Sequence, residues 1–367
     1  MSKVALVRCG SYDRKEVESA VKRGIALLGG PSRFAVAGEK ILFKPNWIVA
    51  AQPEKCATTH PSVFRAAAKA FMETGAVLSY GDSPGRHSPE LADKETGFKA
   101  VAEELGLALA DFKNGVETRY TLDGSEKTYT FSNAVLDADG VISLPKLKTQ
   151  MFLKITGAVK NQLGYIPGML KSRYHGLLPD PIDFARMLVD VNLYKKPRLF
   201  IMDGVIGMDG NGPMNGDPIN MNVILLSADP VALDATVCRI INLNPEYSYT
   251  ITEGAHAGLG TYRDIELVGD PVESFIAPQF NIDRKPVVNF SISNPPLRNH
   301  NHVMPRPHII DVLCKKCGVC VQMCPVEAKA INWRNGDKTR PPGYDYEICI
   351  RCFCCQELCP EGAIKIA

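Results

Sequence analysis

The chain predicts an α/β protein with a mostly parallel sheet, followed by a second, much smaller α+β domain rich in cysteine. Three observations lead there. Short apolar runs alternate with helical patterns over roughly the first two-thirds of the sequence, which is the rhythm of βαβ units. Nine of the twelve cysteines fall between Cys314 and Cys359. Between the two regions lies Ser293-Asn-Pro-Pro-Leu-Arg-Asn-His-Asn-His302, with Pro305 and Pro307 behind it, a polar stretch that sustains neither a helix nor a central strand. The expected organisation is therefore a domain over 1–290, a linker over 291–308 and a module over 309–367.

The elements follow in order. Residues 4–8 read as a strand, 15–28 as a helix, 40–44 as a strand and 62–73 as an alanine-rich helix. Then come a strand at 77–81, a helix near 97–105, strands at 140–144, 198–202 and 222–227, and a helix over 230–241. In open sheets of this kind ligands bind beyond the carboxyl ends of the strands.

Composition narrows the function classes. Apolar residues make up 45% and charged residues 22% of 367 positions, an ordinary globular profile that excludes disorder, coiled coil and collagen. A formal charge of only +2 gives no field that calls for nucleic acid or an anionic membrane. The first residues hold only a short apolar run, too little for a secretory signal, and no apolar stretch approaches the roughly 20 residues of a membrane span. The expected compartment is the cytoplasm, where clustered thiols bind metal or do chemistry more often than they form disulfides.

Two runs in the module carry the strongest signal. Cys314-x2-Cys317-x2-Cys320-x3-Cys324-Pro325 is repeated as Cys349-x2-Cys352-x2-Cys355-x3-Cys359-Pro360. This is the bacterial ferredoxin spacing, in which three close thiolates hold one cubane and the fourth reaches over to the other. It assigns one [4Fe–4S] cluster to Cys314, Cys317, Cys320 and Cys359, and a second to Cys349, Cys352, Cys355 and Cys324. Zinc fits less well, since zinc sites pair two CxxC knuckles around one ion. The tails after each Cys-Pro are similar and apolar, and the module resembles the dicluster ferredoxin family over about sixty residues, which implies a small ferredoxin-like fold. Cys354 has no place in the pattern; it reads as a small buried residue beside the cluster, and an exchanged ligand role with Cys355 stays open. Asn332-Trp-Arg-Asn-Gly-Asp337 reads as a hairpin turn. Basic and acidic residues nearly balance over 309–367, which suits a fixed wire better than a freely diffusing acidic carrier.

Polar residues gather at the strand ends of the first domain. Lys44-Pro45-Asn46-Trp47 follows the strand at 40–44, Gly81-Asp82-Ser83-Pro84-Gly85 the strand at 77–81, and Pro145-Lys146-Leu147-Lys148-Thr149 the strand at 140–144. Asp203-Gly204 ends the strand at 198–202, and Thr58-Thr59-His60-Pro61 opens a helix, with Thr59 or His60 at its cap. These ends predict a shared crevice in which Lys44, Asn46, Thr59, Ser83, Lys146, Lys148 and Asn161 bind substrate, and His60, Asp82 and Lys160 carry the chemistry. A glycine-rich loop over 204–216 lacks GxGxxG and a Walker lysine, so it does not read as a nucleotide site. The bland readings are solvated lysines, an Asx turn at Asp82 and a plain helix cap at His60. His300, His302 and His308 read as solvated linker histidines, because no acidic or thiol partner stands at ligand spacing.

Taken together, Lys-Pro-Asn46, Thr-Thr-His-Pro61, Gly-Asp-Ser-Pro-Gly85, Leu-Pro-Lys-Leu-Lys148, Thr-Gly-Ala-Val-Lys-Asn-Gln-Leu-Gly164, the segment 171–175, Gly-Asn-Gly-Pro-Met-Asn-Gly216 and Asp-Pro-Val-Ala-Leu-Asp234 resemble the family catalogued as domain of unknown function 362, over about residues 1–270. That resemblance implies a ferredoxin-type tail and cluster binding, and no established reaction. Gln150 stands where the resemblance leads one to expect histidine, which weakens any metal role there.

A redox wire fused to a lysine-rich crevice predicts a ferredoxin-coupled oxidoreductase that exchanges electrons with an anionic small molecule. Lys44, Lys146, Lys148 and Lys160 would hold its carboxylate or phosphate, and His60 or Asp82 would move the proton. Two alternatives stand beside it: a redox-partner docking protein without chemistry of its own, and a non-redox enzyme with structural clusters. No flavin signature is present, although the crevice leaves room for one. Neither the substrate nor the oligomeric state is written in the sequence.

Overall fold

The computed structural model describes residues 1–287 and 305–366. Most of the expected 291–308 linker, with His300 and His302, lies outside the described residues. Pro307 and His308 already belong to the first strand of the small module.

A ten-stranded sheet organises the large domain. Its strands are β1 (Ser2–Arg8), β2 (Lys40–Pro45), β3 (Val77–Tyr80), β4 (Ala108–Leu109), β7 (Gly140–Leu144), β8 (Lys146–Gln150), β9 (Lys154–Ile155), β10 (Leu199–Asp209), β11 (Asp217–Ser227) and β12 (Ile265–Gly269), while β5 (Gly115–Leu122) and β6 (Ser125–Ser132) form a separate hairpin. The order β12-β1-β11-β10-β7-β2-β3-β4 is mostly parallel, as expected. The departure is β11, which runs antiparallel to both neighbours, Ile201 facing Leu226 on one side and Leu6 facing Leu225 on the other. Residues 204–209, expected as the start of a loop, extend β10, because the hairpin with β11 continues to Asp209↔Asp217 past an irregularity at Gly204/Ile206.

Helices cover both faces, as buried parallel strands require. The helices α1 (Arg14–Leu27), α2 (Pro61–Met72), α3 (Pro89–Glu95) and α4 (Phe98–Leu105) lie on one side; α5 (Asn133–Asp137), α6 (Gly157–Asn161), α7 (Leu170–Leu177), α8 (Pro181–Tyr194), α9 (Pro230–Ile240) and α10 (Tyr249–His256) lie on the other. Alternate strand residues serve the two cores: Ile41 and Phe43 pack with Phe64, Phe71 and Phe98, whereas Leu42 and Val141 pack with Phe131 and Val135. Cys9 and Cys238 are fully buried in these cores, one in each, which fits the packing role their scattered positions suggested. His60 caps α2, its Nδ1 accepting from Ser62 N, with Pro61 at the first helical position.

The small module is built from β13 (Pro307–Ile309), α11 (Val319–Met323), β14 (Ile331–Asn332), β15 (Gly343–Tyr344), α12 (Cys354–Glu357) and β16 (Ile364–Ile366). Strands β13 and β16 pair antiparallel, as do β14 and β15. The turn expected at 332–337 lies between β14 and β15, with Asn335 and Gly336 both at positive φ. No helix among the described residues is long and apolar enough to cross a membrane.

Candidate functional site

The expected glycine-rich loop holds the small module. Gln356 Nε2 of α12 donates to Asn211 Oδ1 at 3.0 Å and to Gly212 O at 3.0 Å. Asn215 Nδ2 donates to Cys359 O at 2.8 Å. Behind these bonds Met208, Met214, Val49 and Ala57 pack with Met323 and Leu358 of the module. Gln150, where histidine was expected, donates from Nε2 to Glu357 Oε1 while its own Oε1 accepts from Leu153 N at 2.5 Å. It therefore acts as a strut between the domains.

Within the module the cysteines fall into the two sets that their spacing predicts. Cys314, Cys317, Cys320 and Cys359 line one cavity; Cys324, Cys349, Cys352 and Cys355 line another. The repeat extends to the backbone: Lys316 and Gly318 in the first run, and Arg351 and Phe353 in the second, all have positive φ. Three non-glycine residues in that region are unusual, and they turn each loop around its cavity. Four cysteines line each cavity, as a cubane with one thiolate per iron needs, so the residues fit [4Fe–4S], whereas zinc sites pair two CxxC knuckles around one ion. Burial pushes the Cys320 thiol up to about 12 and Cys349 up to about 11, a cost that ligation by a cationic metal core reverses. Cys355 lines its cavity and accepts from Tyr344 OH at 3.2 Å, whereas Cys354 lines the large domain's crevice while its thiol is hydrogen-bonded to that of Cys352. All twelve cysteines are free of disulfides.

That crevice has a volume of about 100 Å³ and two owners. The large domain contributes Asn46, Asp82, Ser83, Lys148, Lys160 and Asn161, all expected, together with Lys171 and His175 of α7. The module contributes Cys354, Glu357 and Leu358, so helix α12 walls the crevice on one side and the second cysteine cavity on the other. Lys171 and His175 were quoted only inside the 171–175 segment of the family resemblance; four residues apart on α7, they share one helix face.

A polar net fixes the crevice floor. Lys44 Nζ pairs with Asp82 Oδ1 at 2.7 Å, and Asp82 also accepts from Trp47 N and Ser83 N, both at 2.8 Å. Asn161 Oδ1 accepts from Asn46 Nδ2 at 3.0 Å and Lys44 Nζ at 3.3 Å. Lys148 Nζ donates to Asn46 Oδ1 at 2.8 Å and to Ala57 O. Gly164 makes room for this net, because a Cβ there would stand 2.0 Å from Asp82 Oδ1 and 2.7 Å from Lys44 Nζ. Helix α6, which carries Lys160 and Asn161, is anchored by the fully buried Asp234, accepting from Ala158 N at 2.6 Å and Val159 N at 3.1 Å. Burial pushes the Asp234 carboxyl up to about 7.

Electrostatics single out three lysines. Lys171 donates to Ser83 Oγ at 2.5 Å and Ile166 O at 3.0 Å, and burial lowers it to about 7. Burial, with repulsion from Lys146 and Lys160, holds Lys148 well below the usual lysine range. Lys160 has no hydrogen-bond or ion-pair partner among the described residues. His175, stacked on Phe184, is lowered to about 3 by burial and by Lys160, and its buried Nδ1 has no partner among the described residues.

Four expected site residues do not line the crevice. Lys44 lies fully buried behind Asp82. Lys146 is consumed by a buried pair with Asp203 at 2.8 Å and by Tyr12 OH at 2.6 Å. Thr59 Oγ1 donates to Leu144 O at 2.6 Å and accepts from Asn46 N at 2.9 Å, a brace between segments. His60 stacks on Tyr12 with ring centroids 3.6 Å apart, and burial lowers it to about 4, so it is neutral around pH 7 and already committed as a cap. Cys56 is buried, with its thiol raised chiefly by burial, and lies near the Lys146–Asp203 pair rather than in the crevice.

A family model described as "Domain of unknown function (DUF362)" matches residues 41–239, and one described as "4Fe-4S dicluster domain" matches residues 313–363. A thylakoid-associated protein of Synechocystis sp. (strain ATCC 27184 / PCC 6803 / Kazusa) is 33% identical over 258 residues, covering 70% of this chain and 79% of that protein. No solved structure matches. With that model spanning more than half of the chain and the second covering both cysteine runs, the chain belongs to the DUF362 family and carries a 4Fe–4S dicluster domain at its C-terminal side.

Proposed function

We propose that the chain passes electrons through two [4Fe–4S] clusters between a redox partner protein and a small anionic molecule bound in the crevice, as a ferredoxin-coupled oxidoreductase. The observation that carries this reading is the shared wall: α12 presents Cys354 and Glu357, with the following Leu358, to the crevice while Cys352 and Cys355 line the adjoining cysteine cavity. When bound, the clusters supply one-electron transfer. The chain's own residues do the rest. Lys148 and Lys160 hold the anion, Asn46 and Asn161 orient it, and Lys171, lowered to about 7, exchanges the accompanying proton, a role that the neutral, capping His60 is poorly placed to take. Asp82, already accepting from three donors, positions Lys44 and the loop.

A docking protein without chemistry would fit a closed apolar crevice with the clusters turned away from it. The lysines of this crevice and its α12 wall favour the redox enzyme. Twelve free cysteines suit a compartment that keeps thiols reduced, for which we retain the cytoplasm.

The test is reoxidation. Holoprotein reduced anaerobically is mixed with fractions of a small-molecule extract while the visible cluster absorption is followed. At least one fraction restores the oxidised spectrum faster than buffer, and Lys160→Glu abolishes the acceleration. If no fraction outpaces buffer, electron delivery from the crevice is wrong.

A further inference from the structure

The ligand class is written in the crevice's unused donors. Three lysines present ammonium groups to it, and each ammonium has three N–H donors. Lys148 uses two, on Asn46 Oδ1 and Ala57 O; Lys171 uses two, on Ser83 Oγ and Ile166 O; Lys160 uses none among the described residues. Every acceptor used is a neutral oxygen. Of nine donors four are used, which leaves five for a ligand.

Burying ammonium groups against neutral oxygens alone is costly. Lys148 and Lys171 are only 1% and 8% exposed, and among the described residues neither has a carboxylate within ion-pair distance. The two carboxylates of the crevice are engaged elsewhere, Asp82 with Lys44 and Glu357 with Gln150. His175 adds a buried, unpartnered Nδ1 to the same wall. The module's side of the crevice, Cys354 and Glu357 of α12 and the following Leu358, contributes no cation.

We propose that the crevice binds a small dianion, a phosphate ester or a dicarboxylate, whose oxygens take the open donors of Lys148, Lys160 and Lys171. A single carboxylate offers about four lone-pair sites on two oxygens and one negative charge, too little for three ammonium groups on separate elements, β8, α6 and α7. A phosphate or a pair of carboxylates meets both counts. Because burial, with repulsion from other lysines, holds Lys148 and Lys171 below the usual lysine range, a dianion that restores their charge takes up protons as it binds. This class rests on the crevice being the ligand site of the proposed oxidoreductase.

The experiment is anaerobic titration calorimetry on the intact holoprotein with inorganic phosphate, malonate and acetate, in two buffers of different ionisation enthalpy. Phosphate or malonate binds at least tenfold tighter than acetate and with net proton uptake; whichever of the two is tighter identifies the oxyanion. Lys160→Ala, at a partly exposed and partner-free position, keeps its iron content and weakens the dianion at least tenfold. Acetate binding as tightly as both dianions, or no binding by either dianion to holoprotein with full iron content, overturns the proposal. Dianion binding that leaves both cluster midpoints unmoved would uphold the ligand class and remove the electron-delivery reading instead.

Discussion

Gly164→Ala tests how the crevice floor is built. The added Cβ would lie 2.0 Å from Asp82 Oδ1, 2.6 Å from Lys44 Cε and 2.7 Å from Lys44 Nζ. Relief needs a shift of roughly 1 Å or more to reach normal contact. Asp82 cannot swing freely, because Trp47 N and Ser83 N hold it from the other side. Overpacking of this kind costs about 1–3 kcal/mol, and parting one member of a buried ion pair about 3–5 kcal/mol. A combined loss of about 3 kcal/mol, with the pair strained rather than broken, lowers the melting temperature by about 5 °C for a domain of this size. The assay is anaerobic differential scanning beside Gly10→Ala, whose new Cβ meets only Glu16 Oε1 at 3.4 Å. A Gly164→Ala protein that melts within about 1 °C of the parent would refute the tight Lys44–Asp82 packing.

Further outcomes follow from the same geometry. Lys171, lowered to about 7 from the usual lysine range, is charged in the folded protein only below that pH, so dianion affinity is highest there and falls by up to about tenfold per pH unit above it. Lys171→Arg flattens that profile, since arginine stays charged; the same shift makes fold stability rise with pH from about 7 upward, because the unfolded chain holds the extra proton. Cys355→Ser lowers iron content from about eight towards about four atoms per chain, whereas Cys354→Ser leaves about eight, as iron analysis of reconstituted protein will report. His60→Asn keeps a helix-capping side chain, costs less than about 1 kcal/mol in denaturation, and leaves dianion affinity unchanged, whereas a role for His60 in the crevice would weaken binding.

The parts of the structure legible in the sequence are those governed by local pattern. The strand at 140–144 and the helix at 98–105 follow from apolar periodicity, and α9 from its Asp229-Pro230 start, Asp229 accepting from Val231 N and Ala232 N. The cysteine sets follow from spacing, since a cubane dictates its own ligand geometry. What escaped was set by tertiary partners. Strand β8 resumes immediately after Pro145 and pairs with β10, Lys146 facing Asp203; as i and i+2 residues of one strand, Lys146 and Lys148 then differ only in which neighbour each meets. Asp203 captures the first and Asn46 receives the second, a distinction no composition or period contains. Lys171 and His175 escaped because a helix with little amphipathic contrast gives no hint which face is covered. The docking role of Asn211 and Asn215 required the module to be in place.

The central claim is that the crevice and one cluster, not both, form a single functional unit. Anaerobic redox titration of the holoprotein, followed by electron paramagnetic resonance with and without saturating dianion, measures it directly. Negative charge added beside α12 disfavours reduction of the cluster held by Cys324, Cys349, Cys352 and Cys355, so its midpoint falls, while that of the cluster held by Cys314, Cys317, Cys320 and Cys359 stays put. Midpoints that are both indifferent to the dianion, or a shift confined to the second of these clusters, would contradict the account.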